Sequence, residues 1–105
     1  MKRETLPPRR QCETFEFTCA KFNYTASIGY YPDGRVGEIF LSAGKAGTEL
    51  HTSVRDAAIA VSFALQHGAT IEQVGTAFTR TVEGSPEGPL GVLFDILAGR
   101  PKAVP

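Results

Sequence analysis

The feature that most constrains this chain is a ten-residue alternation near its N-terminal third. Phe22, Tyr24, Ala26, Ile28 and Tyr30 take every second position, with Asn23, Thr25, Ser27, Gly29 and Tyr31 between them. Successive side chains of a strand point to opposite faces, so a period of two predicts a long β-strand with one buried face. That strand needs neighbours. Thr14-Phe15-Glu16-Phe17-Thr18 alternates in the same way upstream, and Val36 to Ser42 resumes the pattern downstream with Ile39 and Leu41 on one face. Between the second and third runs, Pro32-Asp33-Gly34-Arg35 has turn chemistry: Pro presets φ, Asp can bond the backbone, and Gly permits positive φ. The reading is a three-stranded antiparallel meander over 13–42 with one buried face.

After Ala43 the period changes. Val54, Ala57, Ala58, Val61, Ala64 and Leu65 form a helical stripe over 53–67, with Ser53 and Asp56 as a capping pair and Gly68 as the stop. Ile59 and Phe63 lie off that stripe, so this helix is apolar on two sides. Thr70 with Gln73 makes a capping box that opens a helix over 71–80. Pro89 suits a first helical turn, and Leu90, Leu93, Phe94 and Leu97 mark a third helix over 89–98 before Gly99. Strands followed by helices predict an α+β fold with the helices packed on one face of the sheet.

These elements leave a Pro-interrupted basic arm at 1–12, expected to be a flexible tail, one domain over 13–98, and a flexible tail over 99–105. The 105 residues carry eleven Lys+Arg against eleven Asp+Glu. A net charge of zero argues against general nucleic-acid binding, which needs a basic field. No apolar run is long enough to span a bilayer, and the N-terminus lacks the apolar stretch of a signal peptide, so a cytoplasmic location is expected. Cys12 and Cys19 flank the first strand, and seven extended residues cover roughly 23 Å. A bridge between them would require that strand to fold back, so two reduced thiols are expected.

The loop Gly44-Lys45-Ala46-Gly47-Thr48-Glu49 is the most suggestive stretch for function. Backbone N–H groups around Gly44, Gly47 and Thr48, the ammonium of Lys45 and a helix start beside them can hold a phosphate. Arg55, placed by this reading in the helix's first turn, adds a bidentate cation there. It also opposes the helix dipole, so an acid (Glu38 or Glu49) or a ligand anion must compensate for it. His51 can bond the same phosphate or a ribose, and Arg80 with the 81–88 loop is the reserve position. Taken as local structure alone, the same loop is a connector between sheet and helix. Glu38 reads as a solvated strand acid or a ligand cap. His67, ahead of Gly68, has the place of a structural helix end. No nucleophile, base and orienting group can be named together, and no metal-ligand spacing is present, so the expectation is a non-catalytic protein with neither metal nor cofactor. Phe40 and Tyr31 fall on the strand faces opposite the presumed core. With the two-sided helix they predict a homo-oligomer, a dimer or a multiple of dimers.

Gly34-Arg35-Val36-Gly37-Glu38-Ile39-Phe40, Gly44-Lys45-Ala46-Gly47-Thr48 and Leu65-Gln66-His67-Gly68 together resemble the TSCPD domain. The resemblance covers roughly Glu13 to Ala98, although the Thr-Ser-Cys-Pro-Asp string behind the family name is absent. It implies kinship with the C-terminal domain of some ribonucleotide reductases, especially cobalamin-dependent ones, without their catalytic barrel. In outline the chain is also similar to phage Thoeris anti-defence proteins, which sequester cyclic ADP-ribose-type signals. These likenesses imply two functions: an oligomeric binder of a nucleotide-type ligand, acting by sequestration or regulation, or an interaction module that docks on a reductase with no ligand of its own.

Overall fold

A computed structural model describes residues 2–43 and 48–99. Its element order is β1 (Cys12–Cys19), β2 (Phe22–Tyr30), β3 (Val36–Ala43), α1 (Glu49–Gln66), α2 (Ile71–Ala77) and α3 (Pro89–Leu97). The strands form one antiparallel sheet in the order β1-β2-β3, as the alternation predicts. Phe17 faces Tyr24, Ala26 faces Leu41 and Ile28 faces Ile39, so the alternate apolar residues of three strands line one face. Val54, Ala58, Val61 and Leu65 of α1, with Leu93 and Phe94 of α3, close the core over that face. α1 packs on β3, and α3 packs on α2 and β1. Among the described residues no helix is long and apolar enough to cross a membrane.

Three helix boundaries follow local chemistry. Thr70 and Gln73 form a complete capping box, each side chain bonding the other's backbone N–H at 3.0 Å. Pro89 opens α3, and Gly99 follows its end with φ 73°, a conformation in which a side chain would be strained. α1 corrects the sequence reading, because it begins a turn earlier than Ser53. Thr48 is the N-cap, and its hydroxyl accepts from the His51 N–H at 3.2 Å. Ser53 and Asp56 are therefore exposed interior residues of the helix, not a cap. α2 also stops at Ala77, short of the expected 80. Phe78 turns to an extended conformation and sets its ring edge-on to Phe94, with centroids 5.1 Å apart.

The basic arm, expected to be a flexible tail, makes specific contacts: residues 3–11 lie against the ends of β2, β3 and α1. Glu4 N–H donates to Gln66 O at 2.7 Å, and the Tyr31 hydroxyl donates to Glu4 O at 2.6 Å. Arg35 grips the Glu4 carboxylate with two bonds of 3.0 Å, and Arg3 stands 4.7 Å over the Phe63 ring. Leu6 lies so close to Gly37 that a Cβ there would meet it at 2.7 Å. This covering buries Tyr31 to 4 % exposure, so the expected outward aromatic is an inward one. The expected C-terminal tail, apart from Gly99, lies outside the described residues.

Candidate functional site

β3 is an edge strand, and α1 manages that edge with side chains one turn apart. The Ser62 hydroxyl accepts from Ile39 N–H at 2.8 Å and lies 3.1 Å from Ile39 O. Gln66 Nε2 donates to Gly37 O at 2.9 Å. Since Ile39 turns its peptide groups away from β2, Leu41, two residues on, does the same. No side chain among the described residues bonds the Leu41 peptide groups. They face a cleft of about 300 Å³ whose lining includes Thr25, Ser27, Phe40, His51, Arg55 and Ile59.

Two of the sequence-derived site residues meet at this cleft. His51 lies on the first turn of α1, half-buried, with Nδ1 3.3 Å from Ala43 O, so the end of β3 orients the ring. Arg55 stands one turn further along, exposed, with no acid partner among the described residues. Because α1 starts at Glu49, Arg55 sits in its second turn and the conflict with the helix dipole is relieved. Thr48 is engaged as the cap. Gly44, Lys45 and Gly47, the other members of the expected phosphate loop, lie outside the described residues.

Arg80 is not brought to this cleft. Its guanidinium pairs with Asp95 at 2.8 and 3.1 Å and donates to Gly75 O at 3.1 Å and Gly84 O at 3.0 Å. These bonds tie the end of α2, the following loop and α3 together, and the hydrogen bonding to Asp95 holds the guanidinium further in its charged form. Glu38 is also committed. It is 8 % exposed, with Arg10 Nε 2.6 Å from its Oε2. Gly29, its cross-strand neighbour, leaves the space for it, since a Cβ there would sit 2.3 Å from the same oxygen. A buried carboxylate paired with an arginine from the arm escaped the sequence reading, which took Arg10 for part of a flexible tail and Glu38 for a solvated strand acid or a ligand cap.

The cleft is lined by the Arg55 guanidinium, which has no acid partner among the described residues, by the His51 imidazole and by three hydroxyls, with no carboxylate among its lining residues. Among the described residues no three His, Cys, Asp or Glu side chains group to hold a metal ion. Burial, then a hydrogen bond to Glu13, pushes the Tyr30 phenol up to about 12, and burial raises the Cys19 thiol. Cys12 and Cys19 are both free thiols, at opposite ends of β1.

The TSCPD domain profile matches residues 2–100. Three vitamin B12-dependent ribonucleotide reductases show the kinship in sequence. The enzyme of Bradyrhizobium diazoefficiens is 37% identical over 89 residues, covering 85% of this chain and 7% of the reductase. That of Agrobacterium fabrum is 39% identical over 80 residues, 76% of this chain and 6% of the enzyme. That of Rhodopirellula baltica is 35% identical over 80 residues, 76% of this chain and 8% of the enzyme. The chain thus spans less than a tenth of the length of these relatives. No solved structure gives a significant match.

Proposed function

The chain belongs to the TSCPD domain family, and on that premise we propose that it is a non-catalytic binding module that docks on a ribonucleotide reductase. The observation that carries this reading is the similarity to a small segment, 6–8%, of three reductases. Among the described residues no hydroxyl of the cleft at β3 is hydrogen-bonded to the His51 imidazole, as a nucleophile and its base would be. The test is biolayer interferometry with this chain immobilised and the Bradyrhizobium diazoefficiens reductase, its matching segment deleted, in solution. Saturable binding that free chain competes away supports docking. No binding at about 100 µM reductase overturns it, since that excludes even a weak transient complex.

A second reading is favoured by Arg55, a guanidinium without an acid partner among the described residues, at a cleft with three hydroxyls. In that reading the cleft takes the phosphate of a nucleotide-type ligand, and His51 bonds its sugar or phosphate. Thermal shift against nucleotides, cyclic nucleotides and ADP-ribose derivatives tests it. Ligand at about 100 times its Kd stabilises by about 2.7 kcal/mol. Arg55→Ala should abolish the shift, with circular dichroism confirming that the variant is folded.

A further inference from the structure

The described surface carries one extended apolar strip outside the core. Phe40 on the outer face of β3 is 56% exposed, and Ile59 and Phe63 on α1 are 47% and 46% exposed. They are contiguous. Phe40 and Ile59 line the cleft that holds Arg55 and His51, and the same two residues with Phe63 line a second, smaller hollow of about 150 Å³. Phe40 and Ile59 therefore make a ridge with a groove on either side. A ridge beside a groove is a shape that fits a rotated copy of itself.

The residues along α1 fit the same two-fold relation. Arg55 and Phe63 lie four residues to either side of Ile59, so all three share one face of the helix. When two copies of α1 cross antiparallel at Ile59, Arg55 of each copy faces Phe63 of the other. Arg55 has no acid to satisfy it among the described residues, and Phe63 offers ring surface beyond the part that Arg3 covers. A guanidinium over an aromatic face is attractive, and more so when water is excluded.

We propose that this chain self-associates into a two-fold dimer through the Phe40–Ile59–Phe63 strip, with Arg55 of each copy stacked on Phe63 of the other. The occupant is a second copy because the strip supplies both halves of the cation–aromatic pair, in positions that a two-fold axis at Ile59 brings together. Eight residues separate Arg55 from Phe63, so the strip runs about 12 Å along α1 at 1.5 Å per residue; a contact of that length lies at the small, transient end of specific interfaces, and the dimer forms in the micromolar range. This inference stands whether or not the chain docks on a reductase.

Sedimentation equilibrium of the whole chain tests it. The expected mass at about 100 µM is twice the 11.3 kDa of one chain, falling towards one chain near 1 µM. Ile59→Asp should give a monomer at every concentration, and Arg55→Glu should weaken the dimer at least tenfold. Phe63→Arg should also dissociate it by setting Arg against Arg. The double variant R55F/F63R, which exchanges the members of each cross-copy pair, should restore it. Phe22→Ser and Val82→Asp, at exposed apolar positions off the strip, should leave it intact. Circular dichroism monitors folding, and if I59D fails to fold, R55E and the exchange pair decide. A parent protein that is monomeric at about 100 µM, or a dimer indifferent to both I59D and R55E, overturns the proposal.

Discussion

Ser62→Ala isolates the device that closes the β3 edge. The hydroxyl accepts from Ile39 N–H at 2.8 Å and donates to either Ala58 O at 2.8 Å or Ile39 O at 3.1 Å. Ile39 is 1 % exposed, so water does not readily replace the lost acceptor. A buried N–H left without a partner costs about 1–3 kcal/mol. Alanine's better helix propensity returns about 0.5 kcal/mol. The net loss is about 1–2 kcal/mol, which in a domain of this length lowers Tm by about 5–15 °C. Urea unfolding followed by circular dichroism measures the free energy, and amide exchange at Ile39 locates it. A variant within about 0.3 kcal/mol of the parent, with Ile39 exchanging no faster, refutes the argument that this bond seals the edge.

The placement of the α1 cap makes a paired prediction: Thr48→Ala costs about 0.5–2 kcal/mol, whereas Ser53→Ala, on an exposed helix interior, stays within about 0.5 kcal/mol; urea midpoints distinguish them. The folded protein holds the Tyr30 proton more tightly than the unfolded chain does, because the phenol rises from 10.0 to about 12. Its stabilisation is thus complete below pH 10 and lost as pH climbs to about 12. Tyrosinate absorbance should show this late titration, and Glu13→Gln should return only part of the shift, because burial is its larger cause. The thiols should differ in rate: Cys12 is exposed, while burial both shields Cys19 and raises its pKa, so a thiol reagent near neutral pH modifies Cys12 first.

Local chemistry made much of the fold legible. The alternation through Phe22–Tyr30 specified the register face, because a slip by one residue would turn Ile28 and Tyr24 to the opposite side. Thr70–Gln73 and Pro89 located two helix starts for equally local reasons. The start of α1 was ambiguous, since Thr48 and Ser53 are both capping residues and only Ser53 has an acid three positions on. The β1–β2 turn gave no signal at all. Ala20 and Lys21 take φ of 50° and 75°, where Gly or Asn would be the readable choice. For the site, His51 and Arg55 could be picked out by proximity in sequence. The fates of Glu38 and Tyr31 could not, because their partners, Arg10 and Glu4, come from a segment whose sequence reads as solvated tail.

That arm also sets an order of events in time. The two hairpins of the meander close short loops, which is fast, whereas Arg3 finds Gln66 across a sequence separation of 63 residues, with Glu4 beside it. The entropy of closing a loop grows with its length, and the arm's bonds to Gln66 form only once α1 is seated on β3. Residues that leave the ribosome early are thus among the last to reach their partners. The same hierarchy runs backwards in the native state: the arm is the first unit to open, and its release uncovers Tyr31 and the Gly37 edge while the sheet stays closed. A protease acting on the folded protein would meet the chain there first, and would register the arm as a separate cooperative unit.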